Sequence, residues 1–358
     1  MKYNLTNICE FAKGKIDVAV LDENTYISTE NMMPNKGGIT RASSLPNTAQ
    51  VQAFIKGDVL VSNIRPYFKK IWFAEFNGGC SSDVLVFRTK NGINKRFLYY
   101  VLSNDTFFEY SMVTSKGTKM PRGDKEAIMK YEVHNFSYNE QEKIANVLET
   151  FDIKIRLNKE INDNLFQQAQ AIFDSFFPDI TSGDKTVGDY ITPKRGKNLL
   201  SKDAVPGEVP VVAGGLEPAT YHNQSNTTAP VLTVSASGAN AGFVNLWNIP
   251  VWSSDSSFID STMTKDVYFW YVLLKKRQQE IFDSQTGSAQ PHIYPQHIAV
   301  MPLSDLNNKA VASYTAKVTP LFDMIGANKR ENICLASVRD ALLPKLMSGE
   351  LDVSRLDI

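Results

Sequence analysis

The chain has 358 residues, 43% of them hydrophobic and 21% charged, and its 38 basic and 38 acidic side chains give no formal net charge at pH 7. This length predicts two or three domains. The charge balance argues against a protein that only coats nucleic acid, although a large chain can gather basic residues on one face. Three scattered cysteines (Cys9, Cys80 and Cys334) argue for a reducing compartment and against a disulfide framework. The absence of a signal-like or membrane-spanning apolar run predicts a cytoplasmic protein.

Residues 1–136 predict a mixed domain of strands and short helices. The apolar runs 54–61 and 83–87 are typical of strands, and Lys56-Gly57 supplies a turn signal within the first run. Residues 96–108 have the spacing of short helices. Together these segments predict an α/β or α+β globule.

Residues 137–178 predict a long helix. Ser137 and Glu140 form a capping box at its start. Intervals of four and three then alternate without interruption, which is the 3.5-residue period of a coiled-coil seam. The seam residues are Ile144, Leu148, Phe151, Ile155, Asn158, Asn162, Leu165, Ala169, Ile172 and Phe176.

Residues 179–303 predict a second mixed domain, and residues 304–358 predict a second long helix that ends in LLPKLMSGEL. In the second domain, 229–235 and 258–260 are typical of strands, 267–282 of short helices and 237–242 of a tight turn. Pro320 and Pro344 lack a backbone donor and are expected to break or kink the helix. Its seam residues are Tyr314, Val318, Leu321, Ile325, Asn328, Asn332, Leu335, Arg339, Leu342 and Leu346.

The two halves of the chain repeat each other at a shift of 170 residues. Ser81-Ser82-Asp83 also resembles Ser253-Ser254-Asp255 at a slightly different offset. The repeat predicts two half-proteins in tandem. At the shift of 170, Ile155, Asn158, Lys159, Asn162, Leu165 and Ala171 coincide with the identical residues Ile325, Asn328, Lys329, Asn332, Leu335 and Ala341.

Each long helix needs a partner to bury its seam. Two separate hairpins or a homodimeric coiled coil would bury the seams. The more specific hypothesis is that the two helices pack antiparallel within one chain. It brings Asn158 and Asn162 against Asn328 and Asn332, and seam asparagines fix register and orientation at some cost in stability. Exposure of these asparagines at the surface is the alternative.

The sequence carries no recognisable catalytic motif. It has no G-x-x-x-x-G-K-[ST] phosphate loop, no metal-like Cys/His cluster and no Asn-Pro-Pro-aromatic segment of the amino-methyltransferases. A binding protein without a metal of its own is therefore predicted, not an enzyme.

The tandem plan and several motifs resemble the DNA-specificity subunits of type I restriction-modification systems. The motifs are NEQEKIA at 139–145, AIFDSFF at 171–177 and LLPKLMSGEL at 342–351, and TGSAQPH at 286–292 looks like the turn that closes the family's target-recognition domains. The resemblance covers nearly the whole chain. One departure is the start of the second helix, which reads Asn307-Asn308-Lys309 without the Glu-Gln pair of the first.

The resemblance implies an α/β (α+β) fold with two similar mixed target-recognition domains, separated by a long antiparallel two-helix coiled coil and related by a pseudo-twofold repeat. Residues 1–136 and 179–303 would each read half of a bipartite, asymmetric site in double-stranded DNA. Residues 137–178 and 304–358 would be the spacer helices. The resemblance also implies a non-catalytic subunit that binds two adenine methyltransferase subunits and recruits restriction (motor-nuclease) subunits. S-adenosylmethionine, ATP and magnesium are expected on those partners, and no cofactor on this chain.

Candidate DNA-binding residues are basic, aromatic and amide side chains in turns. Arginine pairs well with guanine and asparagine or glutamine with adenine, whereas lysine mainly contacts phosphate. A solvated surface loop is the alternative for each, and Asp83 and Asp255 are expected to hold turns because carboxylates repel phosphate. The candidates of the first domain are Arg65, Tyr67, Lys69, Lys70, Lys116, Lys119 and Arg122. Those of the second are Lys194, Arg195, Lys197, Ser237, Asn240, Ser288, Gln290, His292 and Tyr294.

Three other functions are weighed against this hypothesis. An orphan specificity subunit that redirects or inhibits another restriction-modification system stays open. A self-sufficient modification or restriction enzyme is disfavoured by the missing motifs. A coiled-coil scaffold would leave two elaborate mixed domains without a purpose.

Overall fold

A computed structural model of the chain describes residues 2–117, 119–287 and 290–353. Two compact units divide the chain: unit 1 runs up to Ile155 and resumes at Ile333, and unit 2 is Arg156–Asn332. Each unit thus combines a mixed domain with parts of both long helices. Among the described residues, no helix has the length and apolarity required to cross a lipid bilayer.

The part of unit 1 that the structure describes forms two four-stranded sheets and a two-stranded sheet. Their strand orders are β2-β9-β6-β7, β3-β5-β8-β4 and β1-β10, and all neighbours are antiparallel except β4 and β8. The strands are Lys2–Asn4 (β1), Cys9–Phe11 (β2), Lys15–Asp17 (β3), Tyr26–Ile27 (β4), Gln50–Phe54 (β5), Val59–Ser62 (β6), Ile71–Phe73 (β7), Gly78–Cys80 (β8), Val84–Thr89 (β9) and Glu132–His134 (β10). The helices are Leu5–Ile8 (α1), Lys95–Ser103 (α2), Asp105–Val113 (α3), Lys125–Ile128 (α4) and Tyr138–Phe176 (α5), which continues into unit 2.

Unit 2 repeats this plan. Its sheets have the orders β12-β18-β15-β16, β14-β13-β17 and β11-β19. Among the described residues of this unit, β13 and β17 pair in parallel and the other neighbours are antiparallel. The strands are Lys185–Thr186 (β11), Lys194–Arg195 (β12), Val209–Val212 (β13), Thr220–His222 (β14), Val231–Ser235 (β15), Val244–Trp247 (β16), Trp252–Ser253 (β17), Ser256–Asp260 (β18) and Pro302–Leu303 (β19). The helices are Val267–Lys276 (α6), Gln278–Asp283 (α7), Pro295–Ala299 (α8) and Asn308–Ser348 (α9), which ends in unit 1.

The central strands are apolar on both faces because each face is covered. Along β6, Val59 and Val61 point into the core beneath the helices, whereas Leu60 between them belongs to a second core on the opposite face. In unit 2, Leu232 of β15 likewise faces the helical core and its neighbour Val231 faces the other. Successive strand residues point to opposite faces. This explains why the sequence shows continuous apolar runs here and not an alternating pattern.

The short helical stretches predicted at 96–108 and 267–282 are each broken once. Asn104 ends α2 and caps α3, since its side chain accepts a hydrogen bond from the Thr106 amide. The second stretch breaks at Arg277, between α6 and α7. The turn predicted at 237–242 does join two antiparallel strands, β15 and β16.

The two long helices are continuous. Of the expected break or kink at the prolines of the second helix, the break is wrong. Helix α9 runs through Pro320 and Pro344 without ending. A proline removes one backbone hydrogen bond, but Val318 and Phe322 are buried in the core of unit 2 and hold the helix on both sides of Pro320. The capping box at the start of α5 is confirmed, because the Glu140 carboxylate accepts from the amide and hydroxyl of Ser137 at 2.7 Å each.

The antiparallel pairing predicted from the seam asparagines is confirmed. In unit 2, Nδ2 of Asn158 donates to Oδ1 of Asn332 at 2.9 Å, and Nδ2 of Asn328 donates to Oδ1 of Asn162 at 2.8 Å. Such pairs form only when the helices run in opposite directions. The buried seam residues are Ile144, Leu148, Asn158, Leu165, Ala169, Tyr314, Val318, Ile325 and Leu346. The remaining predicted seam residues are half-buried: Phe151, Ile155, Asn162, Ile172, Phe176, Leu321, Asn328, Asn332, Leu335, Arg339 and Leu342.

Candidate nucleic-acid interface

Two segments predicted separately lie side by side in unit 1. The amide of Arg65 donates to the carbonyl of Pro121 at 2.8 Å, and Ile64 forms an isolated antiparallel bridge with Arg122. Arg65 and Lys69 both adopt the left-handed backbone region, with φ of 50°, on either side of the 3₁₀ turn Pro66–Phe68. The structure therefore joins 65–70 and 116–122 into one surface.

Two cations of this surface, Arg122 and Lys116, form ion pairs with aspartates. Arg122 Nη2 lies 3.2 Å from Asp83 Oδ1, and 56% of the arginine side chain stays exposed. Lys116 Nζ lies 2.5 Å from Asp124 Oδ2, and this hydrogen bond raises the pKa of Lys116 and lowers that of Asp124. Both cations are thus exposed to solvent and are each held in place by a carboxylate.

The lysines of the 65–70 segment have partners within unit 1. Lys69 shares the carboxylate of Asp105 with Lys36, each at 2.9 Å. Lys70 donates to the Thr29 carbonyl at 2.6 Å, and burial lowers the pKa of Lys70. Both lysines are half-buried and lie less open to a ligand than the sequence suggests.

Aromatic and lysine side chains are exposed beside these ion pairs. The ring of Tyr67 is exposed and lies 4.6 Å from that of Phe68, centroid to centroid. Lys119 is exposed in the adjoining turn. An exposed pair of tilted aromatic rings next to an exposed cation offers stacking and phosphate contacts together.

In unit 2, one aspartate accepts hydrogen bonds from two of the candidate DNA-binding residues. Arg195 Nη2 donates to Asp255 Oδ1 at 2.6 Å, and the Ser237 hydroxyl donates to the other carboxylate oxygen of Asp255. The arginine side chain is 41% exposed. Ser237 also forms an isolated antiparallel bridge with His292, whose ring stacks on Tyr294 at 6.0 Å between centroids. Arg195, Ser237, His292 and Tyr294 therefore lie in one neighbourhood.

The remaining candidates of unit 2 are less closely grouped. Lys194 and Lys197 are exposed beside Arg195, and Gln290 is exposed in the closing turn. Asn240 lies in the turn after β15, where its carbonyl accepts from the Phe243 amide. Ser288 lies outside the described residues.

The two neighbourhoods are related by the internal repeat. In unit 1 Arg122 bridges both Lys116 and Ile64, and in unit 2 His292 bridges both Thr286 and Ser237. Arg122 and Lys116 map onto His292 and Thr286 by the 170-residue shift. The turn that resembles the family's closing turn thus lies in the same place in both units.

The ion pairs of Asp83 with Arg122 and of Asp255 with Arg195 were not predicted from the sequence. Each aspartate ends a Ser-Ser-Asp segment and holds an arginine, but the arginine comes from the closing turn in unit 1 and from β12 in unit 2. The repeated Ser-Ser-Asp was the available signal. The arginines lie 39 and 60 residues away along the chain, so spacing alone could not pair them. Among the described residues, no group of three or more His, Cys, Asp or Glu side chains could hold a metal ion.

Comparison with known proteins gives consistent matches. Residues 1–167 match a family model described as the type I restriction modification DNA specificity domain. The MjaIX specificity subunit of Methanocaldococcus jannaschii is 26% identical over 316 residues, covering 75% of this chain and 71% of that protein. The HindI specificity subunit of Haemophilus influenzae is 27% identical, covering 58% of this chain and 48% of that protein. The crystal structure of a type I restriction-modification S subunit from M. genitalium superposes with a TM-score of 0.56 at 18% identity, covering 97% of this chain and 96% of that one.

Proposed function

We propose that the chain is a DNA-specificity subunit of a type I restriction-modification system, a non-catalytic component that recognises DNA, and that its two mixed domains read the two halves of one split, asymmetric site. The match of residues 1–167 to the specificity-domain model and the similarity to the MjaIX specificity subunit support this proposal. The observation that carries this proposal is the duplicated neighbourhood in which a Ser-Ser-Asp aspartate holds an exposed arginine beside the closing turn. The two copies differ in their other side chains, so they would read different base sequences.

We assign base reading to Arg122 and Arg195. An arginine reads guanine through two parallel hydrogen bonds, and this requires its planar guanidinium to be held in a fixed orientation. Asp83 and Asp255 would supply that orientation by binding Nη2 of each guanidinium. The carboxylates also discourage simple phosphate binding at these arginines, because they repel the backbone charge.

We assign the spacing of the two half-sites to the long helices. Helices α5 and α9 have 39 and 41 residues, so each spans about 60 Å at 1.5 Å per residue. Removing one seven-residue repeat from both would shorten them by about 10 Å, which corresponds to about three base pairs at 3.4 Å each.

We assign the recruitment of methyltransferase subunits to the outward faces of these helices. Leu157 and Ile161 of α5 are exposed apolar residues one turn apart, and residues at i and i+4 lie on the same helix face. Such a pair suits the apolar stripe of a partner helix. S-adenosylmethionine, ATP and magnesium would then be bound by the methyltransferase and restriction subunits, and this chain would bring them to the site.

Methylation mapping tests the whole proposal. The chain is co-expressed with methyltransferase subunits, and the DNA is sequenced for modified adenines. We expect one split motif with a constant gap. A copurifying complex that modifies nothing would contradict it in favour of an inhibitory orphan subunit, and modification without a split motif would contradict the two-domain reading.

A paired deletion tests the spacing. Removal of 155–161 with 329–335 takes out Asn158 together with its partner Asn332 and retains the other asparagine pair. We expect the gap in the motif to change or activity to be lost. The matched control deletes 155–161 alone, which puts the seams out of register and should abolish modification. An unchanged gap in an active double-deletion variant would refute the assignment.

A further inference from the structure

One position of the helix seam differs in chemistry between the two repeats. In unit 1, Nη1 of Arg339 on α9 donates to Oδ1 of Asp152 on α5 at 2.5 Å, and the Tyr100 hydroxyl donates to the other oxygen of Asp152 at 2.7 Å. The arginine and aspartate side chains are 21% and 30% exposed. The contact is therefore a partly buried ion pair between the two long helices.

The repeat-related position in unit 2 is apolar. A shift of 170 residues maps Asp152 onto Phe322 and Arg339 onto Ala169. Both are buried in the core of unit 2, where Phe322 packs against the rings of Phe166 and Tyr268. At this position of the seam the two helices therefore present opposite charges to each other in unit 1 and apolar side chains in unit 2.

The asparagine layers are alike in both repeats. The same shift maps Asn158 onto Asn328 and Asn162 onto Asn332, and the observed bonds join Asn158 to Asn332 and Asn162 to Asn328. Two copies of the same helix could form these bonds equally well. These asparagine-to-asparagine bonds therefore fix direction and register but do not decide which helix pairs with which. A further bond, from Asn158 to Glu331, is specific to the unlike pair because Ile161 occupies the repeat-related position.

We propose that the Asp152–Arg339 pair makes the two halves of the chain (1–178 and 179–358) pair with each other and excludes pairing between like halves of two copies. If two first halves paired, each Asp152 would face the region of Ala169 and lose its cation. If two second halves paired, each Arg339 would face Phe322, lose Asp152 and keep only its neighbour Asp340. Leaving a partly buried charge without its partner is strongly unfavourable, and each dimer of first halves would contain two such carboxylates.

This selection has a consequence for what the molecule recognises. Paired like halves would carry two copies of one unit and favour a palindromic site, whereas unlike halves carry two different units. The ion pair thus favours molecules with two different units when many copies of the chain fold at the same time. The inference concerns pairing alone and holds whether or not the units read DNA.

The test starts from the full chain. A protease site is inserted between Thr181 and Ser182, which lie in the exposed segment 181–184, and the folded chain is cleaved there. Cleaved samples with and without ¹⁵N label are mixed in sub-denaturing urea until unlike pairs of mixed label appear in native mass spectra. That mixing shows that the halves exchange, so the fraction of like pairs can then be read directly.

Three variants are compared with the unsubstituted chain. Asp152→Ala with Arg339→Ala removes both charges of the pair between the helices and leaves only the half-exposed Asp340 without Arg339 in every arrangement, whereas Asp152→Arg with Arg339→Asp keeps a reversed pair. The matched control is Arg96→Ala with Glu149→Ala, which removes another ion pair of α5, at 2.9 Å and with similar exposure of 29% and 26%. Arg96 and Glu149 both lie in the first half, so this pair cannot distinguish like from unlike pairing.

We expect unlike pairs alone for the unsubstituted chain, the reversed pair and the control. For the double alanine variant at Asp152 and Arg339 we expect the share of like pairs to rise about tenfold or more, the ratio that corresponds to about 1.4 kcal/mol. An unchanged share in that variant would overturn the proposal. So would an equal rise in the Arg96/Glu149 control or like pairs in the reversed variant.

Discussion

Asn158 is the asparagine of the seam whose loss should cost most. Its side chain is 1% exposed, and its Nδ2 donates at 2.9 Å to Asn332 and at 2.7 Å to the carboxylate of Glu331. A neutral hydrogen bond contributes about 1 kcal/mol and one to a charged group about 1.5 kcal/mol or more. Asn158→Ala should therefore lower the free energy of unfolding of unit 2 by about 2–3 kcal/mol. For a unit of this size each kcal/mol shifts Tm by about 2–4 °C, so Tm should fall by about 5–10 °C.

Thermal and urea unfolding followed by circular dichroism would measure this loss. The matched control is Asn164→Ala, an exposed asparagine on the same helix, which should change stability by less than about 0.5 kcal/mol. Asn158→Leu with Asn332→Leu replaces both partners by apolar groups and should recover most of the loss. A loss below about 0.5 kcal/mol in Asn158→Ala, or a loss as large in the control, would refute the view that this buried layer stabilises the helix pair.

Three further outcomes are expected. Arg122→Ala, and to a lesser degree Asp83→Asn, should relax one base position in one half of the methylation motif by about 1–3 kcal/mol of discrimination; loss of the entire motif with DNA binding abolished would contradict base reading. Lys119→Ala should weaken binding to all DNA sequences alike and reduce the slope of log K against log salt by about 1, whereas an altered motif would contradict a phosphate contact. Glu140→Ala should cost about 0.5–2 kcal/mol at pH 7. Because the hydrogen bonds from Ser137 lower the pKa of Glu140, this contribution is present above the carboxyl's usual pKa and is lost as pH falls through the lowered one; a stability difference that persists at pH 2 would contradict it.

The long helices could be predicted from the sequence because their signal is local and occurs twice. A seam period of 3.5 residues is visible in ten successive positions of each helix, and the shift of 170 residues aligned the asparagines that bond in the structure. The effect of Pro320 could not be predicted in the same way. The local free-energy cost of a proline inside a helix is known. The burial of Val318 and Phe322, which offsets it, depends on the folded core and is not visible in the local sequence.

The candidate interface was predictable as a set of turns but not as a set of contacts. Basic residues in Gly/Pro turns pointed to 65–70 and 116–122, and the structure joins these segments through the Arg65 amide and the Pro121 carbonyl. The anchoring of Lys69 by Asp105 could not be seen, because that carboxylate begins a helix in a different part of the sequence. Contacts of this kind depend on the tertiary fold and leave no periodic trace.

Pairing of cations with acids explains how a chain without net charge suits a DNA-reading role. Arg122 and Arg195 are held by Asp83 and Asp255, and Lys116 by Asp124. Each pair places a fixed donor at the surface without adding net positive charge. Nonspecific DNA affinity depends on released counterions and thus on uncompensated cations, whereas base reading depends on fixed hydrogen-bond geometry. Under the proposed function, such a surface would bind random DNA weakly and would rely on its partner subunits for most phosphate contacts. The neutral composition, which first argued against a DNA-coating protein, therefore agrees with a subunit whose task is selectivity.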